Sequence, residues 1–171
     1  MGLDMYLSVR KYVNRLDWDA KPTEGSGFPD NPQFHSLVES LDMTEFVERD
    51  DHAGAHVEIP VAYWRKANAI HKWFVDTRAD GEDNCQPIGV SIDHLEELVG
   101  LCKEVLDDKS KAEELLPTEG GFFFGDTAYD DWYFEGIEYT HKRLSEVVEL
   151  MRRTNDKGYH DVDWAVYQAS W

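Results

Sequence analysis

Apolar and polar residues alternate along 3–13, with Leu3, Met5, Leu7 and Val9 on one side and Asp4, Tyr6, Ser8 and Arg10 on the other. A period of two is the signature of a strand with one buried face. This pattern commits the chain to a sheet. The stretch 161–171 alternates again and predicts a second strand at the other end. Between them the spacing changes. Leu95, Leu98, Val99, Cys102, Val105 and Leu106 recur at helical intervals behind Ser91, a good N-cap, with Asp93 in the first turn. Tyr133, Ile137, Leu144, Val147, Val148 and Met151 mark the longest helix, over 130–151. Helices are also expected over 34–41 and 61–76, the latter opened by Pro60, and a short one over 110–116 is stopped by Pro117. Short strands are expected at 56–60 and 88–90, and the Gly- and Pro-rich stretch 17–32 reads as a long loop. Strands lie at both ends and only some are separated by helices. The expected fold is therefore α+β, a mostly antiparallel sheet with helices packed on it, in a single domain over 1–171. At 171 residues the chain is long enough for an ordinary core.

Charge narrows the partners. Thirty-five acidic residues face 17 basic ones, for a formal net charge of −18. Such a chain lacks the basic face that direct binding to nucleic acid or to an anionic membrane requires. A solvated acidic surface, a basic protein partner and imitation of nucleic-acid charge all remain open. The two cysteines, Cys85 and Cys102, do not make a disulfide framework and suit a reducing compartment. The first residues carry neither a basic region nor an apolar core, so no signal peptide is expected. No apolar run approaches the roughly 18 residues of a membrane span. The expected location is cytoplasmic.

Two segments carry the candidate chemistry. In 63–74, Arg65, Lys66 and Lys72 bring three cations into an otherwise acidic chain. On a helix, Trp64, Asn68, His71 and Val75 would fall along one flank of the core stripe. Asn offers donors and an acceptor, His a switchable donor, and Trp a stacking face. Such a flank suits a planar, anionic or hydrogen-bonding small molecule. The plainer alternative is that the Trp rings are core, His71 is a satisfied half-buried histidine and the cations partner nearby acids. In 120–133, glycines flank Phe122, Phe123 and Phe124, and Asp126, Thr127, Tyr129, Asp130, Trp132 and Tyr133 follow. These aromatics could wall a pocket, Phe123 and Tyr129 first among them; an aromatic core strand ending in a capped turn is the alternative. The segment has no phosphate-loop Gly-Lys-Ser/Thr and no dinucleotide fingerprint. Asp51, His52, His56 and Glu58 are residue types that bind metals, but Gly54 and the strand pattern spoil a helical His-x-x-x-His pair, and no metal or cofactor is expected. Hydrolase and metalloprotease motifs are absent from the sequence.

The opening Met1-Gly2-Leu3-Asp4-Met5-Tyr6-Leu7, the segment from Tyr63 to Phe74 that reads YWRKANAIH-x-WF, and the turn Gly121-Phe122-Phe123-Phe124-Gly125 with Tyr129 and Tyr133 together resemble a family of small, uncharacterised bacteriophage and bacterial proteins. The resemblance spans most of the chain. It implies a phage or prophage setting, hence the host cytoplasm, and carries over no reaction or catalytic residue.

The leading expectation is a small binding protein that takes up an anionic small molecule such as a nucleotide, with counter-defence sequestration as one use. Its site would comprise Trp64, Arg65, Lys66, Asn68 and His71, walled by Phe123 and Tyr129. Arg65 and Lys66 would meet phosphate, and Asn68 would orient a polar edge. Two alternatives stand beside it: an acidic inhibitor of a basic host protein, acting as a DNA mimic, and a hydrolase or transferase using His71.

Overall fold

The computed structural model describes residues 2–25, 27–47, 54–155 and 165–171. The fold is α+β, with a four-stranded antiparallel sheet. Ten elements follow in chain order: β1 (Asp4–Asn14), α1 (Pro32–Ser40), α2 (Thr44–Val47), β2 (Gly54–Arg65), α3 (Asn68–Arg78), β3 (Ile88–Val90), α4 (Ile92–Asp107), α5 (Ala112–Leu115), α6 (Asp131–Asn155) and β4 (Ala165–Ser170). The strand order is β2-β1-β4-β3. The two alternating ends of the sequence lie side by side, Asp4 opposite Ser170 and Val9 opposite Ala165, and β3 pairs with the other edge of β4. Residues 161–164 of the expected last strand lie outside the described residues.

By their contacts the residues form two compact units, one of 1–10 with 59–171 and one of 11–58. In the larger unit, Leu3 and, from β1, Met5 and Leu7 join Ala165, Tyr167 and Ala169 of β4 in a single buried cluster. The apolar stripes of α4 and α6 complete it, and the two helices pack along one another. The start of α4 shows how closely its first turn is specified. Ser91 Oγ accepts the His94 N–H (3.4 Å), and His94 Nδ1 accepts the Ser91 N–H (3.1 Å). That is a capping box with histidine in the place usually held by Glu or Gln. The smaller unit has its own core of Val13, Phe34 and Val38, backed by Val47, Ala55 and Val57. Its helix α1 starts as Pro and Asn dictate: the Asn31 side chain accepts the Gln33 N–H (3.0 Å), and Pro32 occupies the first position.

The region 54–78 departs from the sequence reading. The expected strand 56–60 and the first part of the expected helix 61–76 are one continuous strand, β2. Pro60 does not open a helix there; it is tolerated because β2 is an edge strand. From Ala62 to Arg65 burial alternates, with Ala62 and Trp64 inward and Tyr63 and Arg65 outward. Lys66 then takes a left-handed conformation (φ 58°), and the helix begins only at Asn68. Among the described residues no helix is long and apolar enough to cross a membrane.

Candidate functional site

The break at Lys66 scatters the residues that a helical wheel puts on one flank. Trp64, on the strand, is buried; its indole N–H donates to Thr140 Oγ1 (2.8 Å), and its ring meets Tyr139 and Phe74 edge-on. Asn68 is 3% exposed and its amide is spent inside the protein. Its Nδ2 donates to the carbonyls of Phe124 (3.2 Å) and Asp126 (2.8 Å), and its Oδ1 accepts the Glu119 N–H (3.4 Å). Asn68 thus pins the loop that joins α5 to α6.

His71 is 1% exposed. Its Nδ1 lies 2.7 Å from the Tyr167 hydroxyl and its Nε2 3.0 Å from Asp83 Oδ2. Both ring nitrogens are therefore engaged. Burial drives the Tyr167 phenol well above its ordinary pKa, and the nearby Asp83 charge pushes the same way. The space beside this trio is about 10 Å³, too little for a ligand. Tyr129 is half-buried: its hydroxyl accepts the Thr118 N–H (3.3 Å) and its ring meets Tyr133 edge-on. The Phe123 carbonyl accepts the Leu3 N–H (3.0 Å), and its ring lies between those of Phe122 and Trp171. Of the expected metal-binding types, Asp51 and His52 lie outside the described residues, and His56 packs its ring on Tyr12. Among the described residues no three such side chains gather.

A cleft of about 460 Å³ does exist, where the end of β2 and the start of α3 face the first half of α6. Tyr63 (45%), Trp132 (67%) and Tyr139 (42%) supply partly exposed rings. Arg65 and Lys66 stand at the end of β2. Neither forms an ion pair among the described residues. The aliphatic stem of Lys66 runs against Gly125 and on towards Gly2. The first turn of α3 also lines the cleft, and its N-cap residue, Ala67, offers no side-chain acceptor to the backbone N–H groups at this positive end of the helix dipole.

Three carboxylates, Asp126, Asp130 and Glu135, also line the cleft, and the first two are partly committed elsewhere. Asp126 Oδ1 accepts the Ala128 N–H (3.1 Å), and Asp130 Oδ1 accepts the Tyr133 N–H (3.0 Å) at the head of α6. Tyr63 hydrogen-bonds the Asp4 carboxylate, which raises the pKa of its phenol.

The two sides of the cleft are tied through backbone groups at the open edge of β2. The Tyr63 N–H donates to the Tyr139 hydroxyl (3.3 Å), and Arg143 donates to the Val61 carbonyl. Gly136, mid-helix, leaves open space where a side chain would stand.

Of the expected site, then, Trp64, Arg65, Lys66 and Asn68 line the cleft, with the amide of Asn68 spent on the loop. His71, Phe123 and Tyr129 do not line it. Trp132, named among the aromatics that follow the Phe turn, was left out of the expected site, and Tyr63 and Tyr139 were missed. A signal for Trp132 and Tyr139 exists: Trp132, Gly136 and Tyr139 recur at i, i+4 and i+7 beside the core stripe of α6. Comparison with protein families, with curated proteins and with solved structures found no match.

Proposed function

We propose that this protein binds a small aromatic ligand that carries an anionic group, a nucleotide being the class that meets both requirements. The observation that carries the reading is one cleft in which exposed rings stand beside Arg65 and Lys66, which form no ion pair among the described residues. Tyr63, Trp132 and Tyr139 would offer π-faces to a planar ring. Arg65 would hold the anion in its planar fork, with Lys66 and the uncapped turn of α3 adding positive potential. The volume falls within the roughly 300–1,000 Å³ typical of small-molecule sites. Binding is favoured over turnover because the candidate base, His71, has both nitrogens engaged and lies outside the cleft. In a phage setting, inside a host cytoplasm, such uptake would sequester a host signal.

The test is tryptophan fluorescence with a panel of ribonucleotides, since Trp132 is an exposed reporter in the cleft. At least one nucleotide should quench at micromolar concentration. Arg65→Ala should weaken that binding by about tenfold or more, the cost of a charge-assisted hydrogen bond. Silence across the panel to millimolar concentration, or equal binding by Arg65→Ala, would remove the reading.

A further inference from the structure

The loop between α5 and α6 does more than border the cleft: it holds Phe122 out into solvent at 96% exposure. A scattered surface apolar residue is ordinary. This one heads an aromatic ridge. Phe122 meets Phe123 edge-on (centroids 4.9 Å apart), Phe123 stacks on Trp171 (6.4 Å), and Phe124 closes on Trp171 from the side (6.2 Å).

The ridge is braced from beneath. Asn68 grips the Phe124 and Asp126 carbonyls, Leu3 grips the Phe123 carbonyl, and the Phe124 N–H closes a turn onto the Gly121 carbonyl (3.1 Å). Phe124 packs on the buried His71 ring, and the Trp171 indole donates to Asp83 Oδ1 (3.2 Å). Gly125 turns the chain back in a left-handed conformation (φ 94°). A side chain on a braced loop is already in its bound position, so docking loses little conformational freedom. A large aromatic presented this way is the typical energetic anchor of a protein interface.

Charge selects the partner. Glu119, half-buried, and Asp126, exposed, flank the loop, and Asp83 accepts the Trp171 indole N–H. One cation, Lys66, runs its stem along Gly125 towards Gly2. The whole chain carries −18. A second copy of this chain and an anionic lipid surface would both be repelled at long range, whereas a basic protein would be drawn in.

We infer that the Phe122 ridge is a docking surface for a basic protein, with Phe122 inserting into an apolar pocket rimmed by Lys or Arg. This is separate from ligand uptake, because Phe122, Phe123 and Trp171 do not line the cleft.

The probe is a randomised peptide library displayed on yeast and selected on the purified full chain. The expected binders carry Lys or Arg around an apolar residue. They should lose on the order of 30-fold in affinity against Phe122→Ala, the size of a hot-spot truncation, and weaken as salt rises. Phe122→Ala should keep the wild-type melting curve, since its ring meets no buried residue. Arg65→Ala should bind the same peptides normally, which separates this surface from the cleft.

No enrichment, binders of acidic or neutral composition, or equal affinity for Phe122→Ala would each overturn the inference. So would a dimer in light scattering that Phe122→Ala dissolves. Co-sedimentation with phosphatidylglycerol vesicles that depends on Phe122 would also overturn it.

Discussion

The segment 63–74 divides at Lys66 into halves with opposite surroundings. On the strand side, Tyr63, Arg65 and Lys66 are exposed around a buried Trp64; on the helix side, everything from Asn68 to Val75 except Lys72 is buried. The chemistry of the residue types does not predict this division. Asn68 and His71 are as able to bind a ligand as Arg65, yet their polar atoms are consumed internally, and burial without those partners would be costly. A polar side chain on an amphipathic flank serves a ligand only if the fold leaves its atoms unspent. Among the described residues the fold left Arg65 and Lys66 without an ion pair, paired Lys72 with Asp76, and used the amide and the imidazole as fasteners.

Substitutions can break that contrast, the largest effect first. Asn68→Ala removes three hydrogen bonds from a buried position and orphans two carbonyls, so it should cost about 3 kcal/mol in urea unfolding. Arg65→Ala, on an exposed strand position with no ion pair among the described residues, should stay within about 0.5 kcal/mol of wild type in the same assay. Comparable losses for both would erase the distinction between the halves. Next, His71→Leu should cost about 2 kcal/mol by stranding the buried Tyr167 hydroxyl. The double variant His71→Leu/Tyr167→Phe should recover part of that loss, because replacing both partners by apolar groups removes the unsatisfied atom. A double variant no better than the single one would mean that packing, not hydrogen bonding, holds the histidine. The smallest effect has the opposite sign. Gly136→Ala should raise stability by about 1 kcal/mol, the helix-interior penalty of glycine, because its methyl group enters open space. Gly136→Leu should remain folded by circular dichroism and lose ligand by filling the cleft. Unimpaired nucleotide binding in Gly136→Leu would move the ligand elsewhere.

Much of the framework was legible in the sequence. The period-two ends gave β1 and β4, and Ser91 with the Leu95–Val105 stripe gave α4. The strand–helix boundary near Lys66 was not legible. Pro60 is a valid helix opener and also a valid edge-strand residue, and only the position of β2 in the sheet decides between them. That one choice misplaced Trp64 relative to Asn68 and His71, because a helical wheel has no meaning across a strand and a left-handed residue. The buried roles of Asn68 and His71 were equally out of reach, since their partners lie 12 to 96 positions away. Trp132 and Tyr139 were reachable, but the stronger core stripe beside them drew the reading to Tyr133.

The bonds from Tyr139 and Arg143 to Tyr63 and Val61 have a consequence for how the protein behaves when crowded. An edge strand with free N–H and C=O groups invites another chain to add on and propagate a fibre. At these two positions the inviting groups are already taken by side chains of α6. The helix that walls the cleft is thus also a guard against polymerisation, and conditions that loosen α6 would uncover both a binding site and a template for aggregation.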